Sequence, residues 1–261
     1  MNSNGILSDF TAVFSQWRVW FLMANQDIEL RYRRSILGPF WISLAMASLI
    51  LGIALLYSQI FHQPFDQFLV FVGAGLLAWN FLSSMVIEGA GAVTEVDRQL
   101  RAIRIPIPVV VFRIIYRALI VLAHNALAVL IMIVAVDRGL PLVAPVALIG
   151  VVVVTLFGYG TALTLAPLGA RFRDIPQAVA SFMQLMFFIT PLFWRPGQLA
   201  SDHPVVRFNP FNHLVELIRD PLEGVLPSAE NWLFALGATA LALVCGFLVT
   251  AYSRRRLFFW L

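Results

Sequence analysis

Lysine is absent from this chain of 261 residues, and every basic residue is an arginine. A P-loop nucleotidase needs a lysine to contact the phosphates of its nucleotide, so the chain cannot be a self-sufficient P-loop motor. Cys245 is the only cysteine, which excludes a disulfide within the chain. The four histidines are scattered and form no HExxH pattern, so no metal site is expected.

Charged residues are also scarce. They make up 12% of the chain, against roughly one quarter in a soluble domain, whereas 60% of the residues are hydrophobic. This composition predicts a polytopic membrane protein. The net charge of +4 comes from arginines that flank apolar runs, so it does not predict a nucleic-acid partner.

Six apolar runs follow one another along the chain, and about twenty apolar residues are enough for one transmembrane helix. They lie at about residues 40–61, 68–92, 109–136, 142–168, 178–193 and 232–252. The sequence therefore predicts an all-α integral membrane protein with six transmembrane helices, in which residues 36–261 form the transmembrane domain.

The connections between these runs differ in charge. Residues 94–108 and 171–177 carry several arginines, as do the two ends of the chain, whereas the connections after the first and third runs are short. The positive-inside rule places the arginine-rich side, and with it both termini, in the cytoplasm. Arg113 and Arg117 begin the third run and are expected to snorkel toward that interface.

Residues 1–35 form a cytoplasmic amino-terminal segment in this interpretation. Apolar residues recur there at helical spacing, among them Phe10, Phe14, Trp17, Trp20 and Phe21, while polar residues take most other positions. The pattern predicts an amphipathic helix lying along the membrane interface. The alternative is an amphipathic helix packed on another domain.

Residues 194–231 form a long connection between the fifth and sixth runs. The segment mixes prolines with apolar residues and is too polar for a full span. We expect short re-entrant helices that cap or line a pathway, because irregular backbone at membrane depth must be buried in protein or line water. The alternative is a short outer helix that packs on the bundle for stability.

Few polar residues fall inside the apolar runs. Glu88 is the one acidic candidate, and it is expected to bond an arginine or water near the interface rather than to couple ion flow. His124 and Asn125 are expected to bond a neighbouring helix. If neither ions nor a nucleotide bound here supply energy, a partner chain must supply it.

Several motifs, in order along the chain, resemble those of the permease subunit of ABC-2 type polysaccharide exporters, which export O-antigen, capsular polysaccharide and teichoic acid. The matching residues are Tyr32, Arg33, Ser35, Leu37, Gly38, Pro39 and Trp41; Ala170 to Ile175; Thr190, Pro191, Phe193 and Pro196; and Asn209, Pro210 and Arg219. Together these motifs cover nearly the whole chain, in order and at family-like spacing.

The resemblance implies a homodimer with two copies of a separate cytoplasmic ABC ATPase, which would bind ATP and magnesium. No cofactor is expected in this chain. The implied cargo is an undecaprenyl-linked polysaccharide, with O-antigen as the leading candidate, exported across the bacterial inner membrane. The alternative within the same fold is a permease for a small molecule or drug. A membrane enzyme is disfavoured because Glu95 and Asp97, a near pair of acids, lie among arginines, which indicates a charge-balanced loop rather than a catalytic cluster.

Two arginine-rich segments receive roles by this resemblance. Residues 94–108 would carry the coupling helix to the ATPase, through Asp97, Arg98, Arg101 and Arg104. The segment before the first run would form a cytoplasmic gate, in which arginine forks bind the pyrophosphate of the lipid carrier. Its residues are Arg31, Arg33, Arg34, Gly38 and Pro39. The alternatives are a solvated loop in the first case and positive-inside anchoring in the second.

Aromatic faces stack on the apolar faces of sugar rings, so aromatic residues near the runs are candidates for a polysaccharide path. The candidates are Tyr57, Phe61, Trp79, Phe81, Phe187, Phe188, Phe193 and Trp194. The alternative for each of them is a place in the core or in an interfacial aromatic belt.

Overall fold

The computed structural model describes residues 5–33, 35–38, 40–96, 100, 105–136, 139–195 and 204–257. The regular structure of these residues is helical, with no strand among them, so the predicted all-α fold is confirmed. The helices are α1 (Ile6–Ser15), α2 (Trp17–Tyr32), α3 (Phe40–Ile60), α4 (Phe65–Glu95), α5 (Ile107–Ala135), α6 (Val146–Arg171), α7 (Ile175–Ile189), α8 (Pro204–Arg207), α9 (Pro210–Glu223) and α10 (Ala229–Ser253).

Five helices in the described part of the chain are long and apolar enough to cross a membrane, namely α3, α4, α5, α6 and α10. The predicted fifth run corresponds to α7, which has 15 residues. At 1.5 Å per residue it is about 22 Å long, shorter than a hydrocarbon core of about 30 Å. It ends before Thr190, which is extended because Pro191 follows it.

The two ends of the described chain meet. Arg254, just after α10, lies 3.2 Å from a carboxylate oxygen of Asp9 in α1, and the rings of Phe10 and Phe247 are 5.5 Å apart. This proximity favours an even number of crossings, with α7 and the stretch after it returning the chain across the bundle. The count of six spans stays a prediction.

The amino-terminal segment forms two helices, and both pack against α5. They are joined at Gln16, and the indole nitrogen of Trp20 donates to the carbonyl oxygen of Val13 at 2.8 Å. The Trp20 ring lies 4.8 Å from that of Phe112 and 5.2 Å from that of Tyr116, both on α5. A second set of apolar side chains faces away from the bundle and is exposed: Leu7, Phe14, Trp17, Leu22 and Leu30. The interfacial position of these helices stays a prediction, and part of their apolar face belongs to the core.

The centre of the bundle is α4, which packs against α3, α5, α6, α7 and α9. Small residues allow its neighbours to approach closely, as is common between membrane helices. A Cβ added at Gly89 would lie 2.6 Å from the Cβ of Ala162 on α6. The contact between α6 and α10 is similar, because a Cβ at Gly246 would lie 2.5 Å from the carbonyl oxygen of Gly160.

The predicted short helices between the last two runs are present as α8 and α9. The side chain of Asn209 caps α9 by accepting from the backbone nitrogen of Phe211 at 3.0 Å, and Gly224 ends the helix with a φ of 92°. Helix α9 packs against α4, α6 and α10, and most of its residues are buried. It is therefore an inserted element of the bundle rather than a loose outer loop.

Candidate functional site

A cluster of charges around two buried arginines joins α2, α4 and α5. Arg113 and Arg117 lie one turn apart on α5, and each is only 6% exposed. Asp27 of α2 binds both: its two oxygens accept from Nε and Nη2 of Arg113 at 2.6 Å each, and Oδ2 accepts from Nη1 of Arg117 at 2.9 Å. The bidentate pair fixes α2 on α5.

Two acids of α4 complete this cluster. Glu88 Oε2 accepts from Nη2 and Nε of Arg117 at 2.8 and 3.1 Å. Glu95 Oε2 lies 3.7 Å from Nη2 of Arg117 and 3.8 Å from Nη2 of Arg113. Arg31 is exposed and makes a longer contact, 4.0 Å, with Glu88. We call Asp27, Glu88, Glu95, Arg113 and Arg117 the ion cluster.

The prediction that Arg113 and Arg117 snorkel to the interface is wrong. Their guanidinium groups are buried because acids from two other helices reach them, and a buried charge is tolerated when it is paired and hydrogen-bonded. The prediction that Glu88 bonds an arginine is confirmed. Asp27 was not predicted as a partner of these arginines. Two arginines inside an apolar run require acids nearby, and this requirement could have indicated it.

A cleft of about 440 Å³ opens beside the ion cluster, between α3 on one side and α4 with α5 on the other. Asn80, Ser84 and Glu88 recur every four residues on α4 and form a polar wall with Asn125 and Arg117 of α5. The opposite wall is apolar and belongs to α3. Its residues are Trp41, Ile42, Ala45, Met46 and Leu49.

Asn125 lies at the inner side of this cleft and is 2% exposed. Its amide nitrogen donates to Asn80 Oδ1 at 3.3 Å, so the prediction that it bonds a neighbouring helix is confirmed. Its own Oδ1 has no hydrogen-bond partner among the described residues. His124 Nδ1 bonds the carbonyl oxygen of Ile120 on its own helix, and the backbone oxygen of His124 accepts from Ser43 of α3 at 2.8 Å.

The structure describes three of the five predicted gate residues. Arg31 lines the cleft, and Arg33 is exposed at the end of α2. Gly38 has a φ of 56°, a conformation that favours glycine, and its backbone nitrogen donates to Ser35 Oγ at 3.2 Å. Arg34 and Pro39 lie outside the described residues. The structure therefore brings one gate arginine to the cleft.

The predicted coupling residues Asp97, Arg98, Arg101 and Arg104 all lie outside the described residues. Their segment, residues 94–108, also contains Glu95, a member of the ion cluster. Their role stays a prediction.

Six of the eight predicted aromatic residues form a continuous series of ring contacts across α3, α4, α7 and the stretch after α7. The centroid distances are 5.7 Å for Tyr57–Phe61, 5.8 Å for Tyr57–Phe193, 5.7 Å for Phe187–Phe193, 5.4 Å for Phe187–Phe188 and 5.9 Å for Trp79–Phe187. Phe188 is exposed, whereas Trp79 and Phe81 are buried and present no free face in this chain. Trp194 is partly exposed next to Phe193.

Motif residues that are far apart in the sequence meet at the start of α9. Asn209 Nδ2 donates to Thr190 Oγ1 at 3.0 Å. The fully buried Arg219 donates to the carbonyl oxygen of Pro191 and to Glu216, and its guanidinium carbon lies 4.4 Å from the centroid of the Phe71 ring. These contacts hold the end of α7 to α9 and α4.

The chain is 28% identical over 243 residues to the O-antigen export system permease protein RfbA of Myxococcus xanthus, and the match covers 90% of this chain and 92% of that protein. No protein-family model matches the chain. The similarity extends along nearly the whole of both chains.

Proposed function

We propose that the chain is the transmembrane permease subunit of an ATP-driven ABC transporter that exports a lipid-linked polysaccharide across the bacterial inner membrane. O-antigen is the leading candidate for this polysaccharide. The observation that carries the proposal is the near full-length similarity to an O-antigen export permease. The same similarity favours a polymer over a small molecule or drug as cargo. The chain acts as a transport subunit and not as an enzyme.

ATP hydrolysis belongs to a separate partner in this proposal, because a chain without lysine has no P-loop. Two copies of the ATPase dock on the arginine-rich side of a homodimer. Residues 94–108, with Asp97, Arg98, Arg101 and Arg104, form the docking segment. A displacement of this segment by the ATPase would be transmitted to the ion cluster through Glu95. The carboxylate of Glu95 lies within 4 Å of two buried arginines.

The aromatic series would form one side of the path for the polymer. Tyr57, Phe61, Phe187 and Phe193 keep part of their surface accessible, and Phe188 is exposed. Their rings offer apolar faces on which sugars stack while sugar hydroxyls stay hydrated. Trp79 supports the series from the core side through its contact with Phe187, and a second copy of the chain closes the path.

Both termini lie in the cytoplasm in this proposal, so that the arginine-rich side follows the positive-inside rule. The gate formed by Arg31, Arg33, Arg34, Gly38 and Pro39 then stands at the inner leaflet. An arginine fork binds phosphate oxygens bidentately, which suits the pyrophosphate of an undecaprenyl carrier. Arg31 is exposed at the mouth of the cleft.

Depletion of the protein in cells tests the proposal, with a strain rescued by the wild-type gene as the control. We expect polymer to disappear from the cell surface and to accumulate on its lipid carrier inside the cell. Unchanged surface polymer, without accumulation of carrier-linked chains, would contradict the cargo and leave the small-molecule permease as the better interpretation.

A further inference from the structure

The cleft between α3 and the α4–α5 pair has two unlike walls. One wall carries the amides of Asn80 and Asn125 and the hydroxyl of Ser84, whereas the other is the apolar face of α3. We propose that this cleft is a lateral binding site for a sugar-bearing lipid headgroup, with its sugar hydroxyls on the amide wall. The inference rests on the proposed function and names the place where the lipid-linked cargo first binds.

The first observation is the free oxygen of Asn125. The residue is 2% exposed, its Nδ2 is already bonded to Asn80, and its Oδ1 lacks a partner among the described residues. A buried polar atom without a partner carries a desolvation penalty. A hydroxyl group in the cleft would donate to this oxygen, which a hydrocarbon chain cannot do.

The second observation is the depth of the polar wall. Asn80 lies eight residues from Glu88 along α4, which corresponds to about 12 Å along the helix axis. The amides therefore lie about two helical turns farther along the bundle than the charges at the mouth of the cleft. A glycerophospholipid would put acyl chains at this depth, whereas a carrier-linked sugar would put hydroxyl groups there.

The third observation is the charge at the mouth. Arg117 and Glu88 pair with each other at 2.8 Å, so their charges largely offset one another. Arg31 is exposed, and its contact with Glu88 is long at 4.0 Å. Its guanidinium is therefore able to bind an anionic group. The phosphates of the carrier would bind Arg31 while the first sugars reach Asn80, Ser84 and Asn125. The prenyl chain would follow the exposed part of α3, where Trp41 and Leu49 lie.

Native mass spectrometry of the full-length protein in detergent tests the proposal with two probes. One is an undecaprenyl pyrophosphate that carries a disaccharide, and the other is undecaprenyl phosphate without sugar. We expect Asn125→Leu to weaken binding of the first probe about tenfold and to change binding of the second less than about twofold. Arg31→Gln should weaken binding of both probes.

Asn212→Leu is a matched control, because Asn212 is also buried with an Oδ1 that lacks a partner among the described residues, but it lies on α9 outside the cleft. It should bind both probes like the wild type. Asn80→Ala and Ser84→Ala are second variants in case Asn125→Leu does not fold. They change residues that are not fully buried, and they should also weaken binding of the sugar-bearing probe more than that of the sugar-free probe.

Equal effects of the amide variants on both probes, or no effect on either, would overturn the cleft as a sugar site. The wild type would still prefer carrier lipids in that case, and the proposed function would stand. If the wild type binds neither probe better than phosphatidylglycerol, the proposed cargo fails, and the cleft proposal fails with it.

Discussion

Helices α3 and α4 are both apolar enough to cross a membrane, yet they occupy different places in the bundle. In the most apolar stretch of each helix, 17% of the residues of α3 and 78% of those of α4 are buried. The sequence of α4 has small residues where neighbours approach and acids that pair with α5. The buried residues of α3 are Met46, Ile50, Ala54 and Ser58, a single stripe with four-residue spacing.

The difference shows that hydropathy identifies segments that are apolar enough to cross a membrane but not which of them form the core. A span becomes central when small residues and paired charges bind it to several neighbours. A span held along one stripe leaves most of its surface to lipid or to a second copy. We therefore expect α3 to be the span that separates from the bundle most easily, which suits the outer wall of a lateral cleft.

Removal of Asp27 should produce the largest loss of stability, because two buried arginines then lack the carboxylate that binds both of them. Asp27→Ala should lower the free energy of unfolding by about 3 kcal/mol. Thermal unfolding in detergent, followed by circular dichroism, measures the effect. Glu29→Ala is the control, since Glu29 is exposed on the same helix and should cost less than about 0.5 kcal/mol. Equal melting temperatures for the two variants would contradict a structural role for the ion cluster.

A methyl group at the α4–α6 contact should have the next largest effect. In Gly89→Ala the new Cβ would lie 2.6 Å from the Cβ of Ala162, so the two helices must move apart. Overpacking of this kind costs about 1–3 kcal/mol. The same unfolding experiment measures it, and an unchanged melting temperature would show that α4 is held less tightly than its burial indicates.

Loss of the hydrogen bond between α3 and α5 should have a smaller effect. Ser43→Ala removes the donor to the carbonyl oxygen of His124. Hydrogen bonds between membrane helices contribute about 0.6 kcal/mol on average. Cross-linking between cysteines introduced on α3 and α5 measures how often the two helices are in contact. The cross-linked fraction should fall in this variant, while the free energy of global unfolding changes little. A loss of stability as large as that of Asp27→Ala would contradict the weak attachment of α3.

The smallest effect is expected at Gly52 of α3, where a Cβ would meet no atom within 4 Å. Gly52→Ala should leave stability unchanged or raise it slightly, because alanine favours a helix more than glycine does. It matches Gly89→Ala in chemistry and differs in location. A clear loss of stability in detergent would mean that this face of α3 is already covered, as it would be in a tight homodimer.

The sequence predicted the helical class, the positions of most spans and the short helices before α10, because these depend on local hydropathy and proline placement. It extended the fifth run past Ile189, since hydropathy continues across Thr190 and Pro191 while the helix does not. The ion cluster was missed in part, because Asp27 and Arg113 are separated by 86 residues and meet only through the packing of α2 on α5. The Thr190–Asn209 contact was equally invisible, although both residues stood out as motif positions.

ATP-dependent transport in inverted inner-membrane vesicles tests the central claim most directly. The vesicles would contain this chain with the proposed ATPase partner and a radiolabelled lipid-linked polysaccharide on the outer surface. With ATP, we expect the polymer to become protected from an added glycosidase, and vesicles without this chain should give no protection. Polymer that stays accessible to the enzyme, while both proteins are present and ATP is hydrolysed, would contradict the account.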